Sequence, residues 1–331
     1  MANAEQVEPV LSVRDLGVTF DGPPHDVYAV NGVSWDLYPG EWLGLVGESG
    51  SGKTASLWAV MGLLRQTATV RGSVRLLGED LLTLAPRDWA AVRGRDIAMV
   101  FQGLSTALNP YLGVGPQVME PLLEHRLATR AEARERAIGL LEELGIADAA
   151  ARFASRPYEW SGGMQQRAGI AAALIADPAV LLADEPTTAL DATVQLQVLA
   201  VLQAACTRRG MAVVLVTHDF GVAAQMCDRI AVMYGGRIME TALVAAFTES
   251  PRHPYTQALQ AAIIDPEDPW QPLRPIPGAG ASLTLPLTGC PFAPRCPWVV
   301  DVCRTVVPPL LPVAPAHAVA CHRVVEVGRH G

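Results

Sequence analysis

The sequence of 331 residues lacks any hydrophobic run long enough to cross a bilayer. Half of its residues are hydrophobic, yet the longest uninterrupted stretches, such as residues 169–176, are less than half the roughly 18 apolar residues that a transmembrane helix needs. The amino terminus also lacks the basic and apolar segments of a secretory signal. We therefore expect a cytoplasmic protein that reaches a membrane only through a partner.

A basic excess is also missing, since the net charge is −8 and only 18% of the residues are charged. General nucleic-acid binders usually carry a basic excess, so this composition argues against that class. The low charge content suits a protein that works inside an assembly, although the interior of a compact enzyme explains it equally well.

One glycine-rich octapeptide, Gly47–Thr54, fits the pattern GxxxxGK[ST] and follows a short apolar run that we interpret as a buried strand. Glycines allow successive backbone N–H groups to turn towards phosphate oxygens. Lys53 supplies a charge for the β- and γ-phosphates, and the Thr54 hydroxyl is a Mg²⁺ ligand. A helix that begins at Lys53 adds its N-terminal dipole. The sequence therefore predicts a nucleoside triphosphate site formed by Gly47, Ser49, Gly50, Ser51, Gly52, Lys53 and Thr54.

Strand and helix patterns alternate over the first three quarters of the chain. Strands are predicted within 10–46, at 70–77, 180–183 and 213–217, and helices at 53 to about 64, within 104–159 and at 193–209. This order predicts an α/β fold with a mainly parallel sheet, an antiparallel β lead-in and a helical insert.

The composition changes after about residue 248. Half of the 26 prolines lie between Pro266 and Pro315, and four of the six cysteines follow Gly289. This favours a separate, loop-rich tail rather than further sheet. We expect a nucleotide-binding domain at 1–248, with a helical subdomain at about 104–165, and a tail at 249–331.

A second apolar strand ends in two carboxylates. Asp184 suits a Mg²⁺-linked acceptor, and Glu185 suits a group that orients an attacking water, although a solvent-facing acidic strand end is an equally good interpretation on its own. A second glycine-rich turn, Ser161–Gly163, opens a helix. Two subunits packed head to tail would use it, each closing the nucleotide site of the other.

Taken in order, these motifs resemble those of ABC-transporter ATPase subunits. The resemblance covers Walker A (47–54), the Q-loop glutamine Gln102, the signature motif (Ser161-Gly162-Gly163 with Gln165 or Gln166), Walker B (180–185), the D-loop (Ala189-Leu190-Asp191), the switch histidine His218 and the adenine-stacking aromatic Tyr28. It implies ATP hydrolysis that depends on Lys53, Gln102, Glu185 and His218. It implies further ATP contacts from Tyr28, Ser161, Gly162, Gly163, Gln165 and Asp191, and Mg²⁺ held by Thr54, Gln102 and Asp184.

The tail indicates which subgroup of this family the chain resembles. Ser250–Thr256 with Leu259, and Cys290–Pro297, are similar to the tail of dipeptide and oligopeptide importer ATPases. The resemblance implies a peripheral subunit at the cytoplasmic face, a second ATPase subunit that is often a non-identical chain, two transmembrane permease subunits and an extracytoplasmic substrate-binding protein, and no nucleic acid. Both a heterodimer and a homodimer of ATPases stay open.

Two alternatives remain. Nickel and opine importers share the same tail, and the transported substrate is chosen by other subunits. A soluble ABC ATPase acting on DNA or ribosomes is the alternative from a different class. Such proteins tend to carry two fused cassettes or a long coiled-coil insert, and this chain has neither.

Four tail cysteines, Cys290, Cys296, Cys303 and Cys321, have the spacing C-x5-C-x6-C-x17-C. Disulfides are rare in cytoplasmic proteins, and the gaps between these cysteines are wider than those within structural zinc pairs. Four soft ligands on a proline-stiffened scaffold suit a [4Fe–4S] cluster, which some peptide-importer relatives carry in this tail. Zinc is the alternative, with His317 or His322 replacing one thiolate. Cys206 and Cys227 are predicted to be small core hydrophobes.

Overall fold

The structure is a computed structural model that describes residues 7–64, 66–103, 107–188, 190–262 and 275–324. The chain divides into two compact units that alternate along the sequence. The helical unit comprises the described residues within 1–11, 37–41 and 83–214, and the phosphate-loop unit comprises the described residues within 12–36, 42–82 and 215–331.

Strands and helices alternate over most of the described residues. The first half contains β1 (Leu11–Phe20), β2 (Val27–Leu37), β3 (Trp42–Val46), α1 (Lys53–Val60), β4 (Thr69–Leu76), β5 (Glu79–Asp80), α2 (Trp89–Val92), β6 (Ile97–Val100), α3 (Val114–Glu124), α4 (Arg130–Glu143) and α5 (Ala149–Arg152). The second half contains α6 (Gly162–Leu174), β7 (Val180–Asp184), α7 (Ala192–Arg209), β8 (Ala212–Thr217), α8 (Phe220–Met226), β9 (Arg229–Tyr234), β10 (Arg237–Leu243), α9 (Val244–Glu249), α10 (Pro254–Ala261), α11 (Asp301–Thr305), β11 (Leu311–Ala314) and β12 (His317–Val319).

The phosphate-loop unit contains two sets of hydrogen-bonded strands. One has the order β2-β1-β4-β5, with β4 and β5 antiparallel. The other runs β11-β12-β10-β9-β3, in which β3 and β9 are parallel and the remaining pairs are antiparallel. All five residues of β3 are buried, as expected for a strand covered on both faces.

The helical unit contains the parallel strands β6 and β7 together with helices α2 to α7. Helix α4 begins at a capping box between Thr129 and Glu132. Ala133, Ala137 and Leu140 repeat at the helical period, and they are buried together with the neighbouring leucines. The α/β class is therefore confirmed, with mixed rather than mainly parallel pairing.

The structure differs from two sequence-based expectations. Helix α1 ends at Val60 rather than near Leu64, because Gly62 takes a left-handed φ of +65° two residues later. The tail also contributes to a sheet, since β12 pairs with β10 through Glu240 opposite Val319. None of the described helices is both long and apolar enough to cross a membrane.

A buried carboxylate fastens the tail to β10. Glu240 is fully buried and accepts hydrogen bonds from the backbone N–H groups of Arg252 and His253, both at 2.8 Å, and from Nε2 of His317 at 2.7 Å. Burial by itself would raise the pKa of Glu240. The hydrogen bonds from His317 and from the two backbone N–H groups outweigh that effect, and its pKa is lowered.

His253 beside this carboxylate makes stability depend on pH. Burial lowers the pKa of His253 from 6.5 to about 4, and its Nδ1 accepts the N–H of Tyr255 at 3.0 Å. The unfolded chain therefore takes up a proton first as the pH falls, so stability is lost between about pH 6.5 and 4. The lowered pKa of Glu240 adds to the loss below its ordinary value of 4.5.

We expect the free energy of unfolding, measured by urea titration, to be about 2 kcal/mol smaller at pH 5 than at pH 7.5. His253→Asn keeps an acceptor for the Tyr255 N–H but does not titrate, so it should flatten this dependence. His25→Asn at an exposed position is the matched control and should leave it unchanged. An unaltered pH slope in His253→Asn would show that other groups carry the effect.

Candidate nucleotide site

The loop between β3 and α1 is closely packed against its own unit. Gly47 has a φ of +152°, and a Cβ there would lie 2.2 Å from the carbonyl oxygen of Met233. Gly52 has a φ of +99°, and a Cβ there would lie 2.3 Å from the carbonyl oxygen of Ala29. Two glycines of the motif are therefore required by the backbone conformation and by the space around it.

Lys53 lies folded over this loop. Its Nζ donates to the carbonyl oxygens of Gly47 at 2.7 Å and Glu48 at 3.0 Å, and lies 3.4 Å from Oγ of Ser51. The side chain is buried, with 6% of the residue exposed. The ammonium group is therefore held inside the curve of the loop, where an anion would meet it.

We expect Gly47→Ala to weaken ATP binding and to lower the free energy of unfolding by more than about 2 kcal/mol, because its Cβ would collide with backbone. Gly50→Ala is the matched control in the same loop. Gly50 has a φ of +77° but open space around its Cβ position, so this change should cost only about 1 kcal/mol. Thermal unfolding and ATP titration of both variants test the expectation, and equal effects would contradict it.

The remaining predicted contacts of this unit have mixed exposure. Ser49 and Gly50 are exposed, and Ser51 is buried, while Thr54 is half-buried. Tyr28 on β2 is half-buried, and its N–H donates to the carbonyl oxygen of Leu283 at 2.7 Å.

His218 belongs to the same unit. It follows the last residue of β8 and is exposed.

Glu185 and Gln102 meet within the helical unit. Nε2 of Gln102 donates to Oε2 of Glu185 at 3.0 Å, and Oγ1 of Thr188 donates to the same oxygen at 2.8 Å. Glu185 has a φ of +44°, which is uncommon for a residue other than glycine and typical of functional sites. Asp184, the last residue of β7, is 1% exposed. Two motifs separated by 83 residues are thus brought together.

The second glycine-rich turn opens helix α6, as predicted. Oγ of Ser161 accepts the N–H of Met164 at 3.3 Å and caps the helix, while Ser161 and Gly162 are exposed. A Cβ on Gly163 would lie 2.9 Å from Cγ1 of Val194. The exposed start of this helix has the form of an anion site.

The two candidate signature glutamines have different partners. Nε2 of Gln165 donates to the carbonyl oxygens of Pro157 and Trp160, at 2.8 and 3.0 Å. Gln166 is buried and donates to the carbonyl oxygen of Pro186, next to Glu185. Each glutamine therefore fixes backbone beside a predicted motif.

Asp191 caps helix α7 by accepting the N–H of Val194 at 3.0 Å, and it is exposed. Ala189 of the predicted D-loop lies outside the described residues, as do residues 104–106 at the start of the predicted helical subdomain.

Two tail residues reach the phosphate loop and were missed by the sequence analysis. Oη of Tyr255 accepts the N–H of Glu48 at 2.9 Å, and the guanidinium of Arg295 binds the carboxylate of Glu48 at 2.7 and 3.0 Å. Both lie in the importer-like tail segments, which was the available signal, but nothing in their spacing indicated a contact with residue 48.

The predicted metal site in the tail is wrong. Among the described residues, no group of three or more His, Cys, Asp or Glu side chains can hold a metal ion, and the four cysteines line one cavity of about 20 Å³. Burial raises the pKa of Cys290 to about 12, and it also raises the pKa values of Cys296 and Cys321.

The alternative histidine ligands are also engaged elsewhere. His317 bonds to Glu240, and His322 bonds to the carbonyl oxygen of Val306 at 3.0 Å. Neither the [4Fe–4S] cluster nor zinc is therefore supported. Cys206 and Cys227 are buried, as predicted.

Comparison with known proteins gives the same family as the motifs. A family model described as ABC transporter matches residues 30–188, and one described as the C-terminal region of oligopeptide/dipeptide transporters matches residues 239–303. The chain is 45% identical over 330 residues to the probable peptide ABC transporter ATP-binding protein y4tR of Sinorhizobium fredii, covering 99% of this chain and 98% of the relative. It is 42% identical over 317 residues to the oligopeptide transport ATP-binding protein OppD of Salmonella typhimurium, covering 96% and 94%.

A solved structure supports the fold. The dimeric, post-hydrolysis structure of the ATP-binding cassette MJ0796 bound to ADP and Pi is 28% identical and matches with a TM-score of 0.63, over 71% of this chain and 98% of the cassette. The chain therefore belongs to the ATP-binding subunits of the oligopeptide/dipeptide ABC transporters and is an ABC-type ATPase.

Proposed function

We propose that this ATPase powers the import of di- or oligopeptides through a membrane ABC transporter. The observation that carries the proposal is the presence, in one chain, of a phosphate loop closed around its own lysine and of a tail matching the oligopeptide/dipeptide family region. The peptide transport named for both relatives supports the substrate class.

The phosphate loop is proposed to bind the triphosphate of ATP. Lys53 places its ammonium group for the β- and γ-phosphates, and backbone N–H groups from Gly47 to Gly52 supply further donors. Tyr28 is proposed to stack on adenine. These roles rest on the motif and on the closely packed conformation of the loop.

Glu185 is proposed to orient the water that attacks the γ-phosphate, with Gln102 and Thr188 fixing the orientation of its carboxylate. His218 is proposed to hold the γ-phosphate, and Asp191 to contact ATP from the D-loop.

Three oxygen donors of the chain fit Mg²⁺, which prefers such ligands: the Thr54 hydroxyl, the Gln102 amide and the Asp184 carboxylate. The ion, when bound, would neutralise charge on the phosphate oxygens.

A second ATPase subunit is proposed to complete each ATP site through its Ser161–Gly163 turn. The exposed cap of α6 supports this, because an uncovered helix N-terminus is free to meet an anion. Gln165 would shape the turn through its backbone contacts.

The other proposed partners are two permease subunits and an extracytoplasmic binding protein, which would place the chain peripherally at the cytoplasmic face of the membrane. We also keep the proposed division into a nucleotide-binding region at 1–248 and a tail at 249–331.

Transport assays decide between peptide and nickel or opine import. The subunit is assembled with its permeases and binding protein in liposomes, and uptake of a labelled tripeptide is compared with uptake of ⁶³Ni²⁺ and of a labelled opine. ATP-dependent peptide uptake that is lost in Glu185→Gln is expected. Uptake of nickel or opine without peptide would contradict the substrate class while leaving the ATPase assignment intact.

A further inference from the structure

Glu48, the second residue of the phosphate loop, is held at three separate points. Its N–H donates to Oη of Tyr255 at 2.9 Å, and its carbonyl oxygen accepts from Nζ of Lys53 at 3.0 Å. Its carboxylate forms a paired contact with Arg295, Oε2 to Nη1 at 2.7 Å and Oε1 to Nη2 at 3.0 Å. Two of the three contacts come from the tail, and both act on one loop residue.

The side chain of Arg295 is itself held by several hydrogen bonds. Besides the two bonds to Glu48, its Nη1 donates to Oη of Tyr234 at 3.1 Å, its Nη2 to the carbonyl oxygen of Ile276 at 3.1 Å, and its Nε to that of Pro277 at 2.8 Å. All five N–H donors of the guanidinium are therefore used. Only 6% of the side chain is exposed. These contacts fix the orientation in which the guanidinium meets the carboxylate of Glu48.

An aromatic cluster supports both tail contacts. The ring of Tyr255 lies 4.6 Å from that of Tyr234 and 5.2 Å from that of Phe292, centroid to centroid. The guanidinium of Arg295 lies over Tyr234 at 5.6 Å and near Phe292 at 5.9 Å. Tyr255 and Phe292 are almost fully buried. Tyr234 is the last residue of β9. The aromatic cluster therefore connects the strand β9, the tail and the phosphate loop within one unit.

We infer that Arg295, assisted by Tyr255, is a positioning residue for the phosphate loop, so that the tail helps to set the affinity for the triphosphate. The inference rests on the proposed role of Gly47–Thr54 in binding ATP. A charge-assisted, paired contact is strong and directional. A loop held in its binding conformation loses less entropy when the anion arrives. Arg295 does this from a position 247 residues away in the sequence.

The test compares ATP and tripolyphosphate binding by the full-length chain, using displacement of a fluorescent ATP analogue in Mg²⁺. Arg295→Met is expected to lower the affinity for both ligands about tenfold. Tyr255→Phe loses only a hydroxyl and is expected to lower both affinities about threefold. Arg295→Lys should recover part of the affinity, because it keeps the charge but not the paired geometry. An equal loss for both ligands assigns the effect to phosphate binding. A loss confined to ATP would overturn the proposal, because tripolyphosphate has no adenine.

Two controls separate positioning from simpler explanations. His317→Asn loosens the tail at Glu240 and should lower the melting temperature without changing ATP affinity. If His317→Asn lowers the ATP affinity as much as Arg295→Met does, the tail is only a structural anchor and the proposal fails. The double variant Arg295→Met with Glu48→Gln should still bind ATP as weakly as Arg295→Met alone. If it regains the wild-type affinity, Arg295 merely screens the Glu48 charge, and the proposal fails as well.

Lys53→Ala distinguishes the inference from the function on which it rests. Loss of binding in Lys53→Ala together with wild-type binding in both Arg295→Met and Tyr255→Phe would overturn the inference alone. Wild-type binding in Lys53→Ala would instead remove the phosphate-loop assignment. If Arg295→Met does not fold, Tyr255→Phe carries the test, since its ring still fills the aromatic cluster.

Discussion

Replacement of Glu185 by glutamine is expected to leave ATP binding intact while reducing ATP turnover by about 100-fold or more. The amide keeps the size of the side chain and can still accept from Gln102 or Thr188 through its remaining oxygen. It loses the negative charge that would orient and polarise the attacking water. The unproductive ATP complex should accumulate, and in the assembled transporter it should persist as a closed pair of ATPase subunits.

Steady-state phosphate release and ATP titration on the same preparation measure the two quantities separately. Glu142→Gln is the matched control, because it makes the same chemical change at an exposed position on α4. It should hydrolyse ATP at the wild-type rate. Near-normal hydrolysis by Glu185→Gln would mean that another group positions the water.

Lys53→Ala is expected to weaken ATP binding by at least about 100-fold. The substitution removes the side-chain charge that the loop encloses, and it also removes the bonds that draw together the carbonyl oxygens of Gly47 and Glu48. A titration in Mg²⁺ that matched the wild type would exclude the phosphate-loop assignment.

The composition offers an independent test of this lysine. Lys53 is the only lysine of the chain, so an amine-acylating ATP analogue can modify one side chain and the amino terminus. Peptide mass analysis should find the label at Lys53, and excess ATP should prevent it. Unprotected labelling would show that ATP does not cover the lysine.

Local patterns in the sequence determined the chemistry of the protein and much of its secondary structure. The spacing of Gly47, Gly52 and Lys53 indicated a strand, a tight loop and a helix, because these features depend on backbone freedom over a few residues. The apolar face of α4 could be predicted because its residues repeat at the helical period. The chain order of the motifs then identified the family, although the individual roles of Tyr28, Asp191 and His218 remain predictions.

Only the tertiary structure decided which distant residues meet. The bond between Gln102 and Glu185 spans 83 residues, and the one between Arg295 and Glu48 spans 247. No periodicity encodes such pairs, because they depend on how strands and tail close on one another. The same reason explains why β12 pairs with β10, although the sequence favoured a loop-rich tail rather than further sheet. It also explains why four cysteines with a suggestive spacing form no metal-binding group among the described residues, because the spacing of ligands along a chain does not fix their geometry in space.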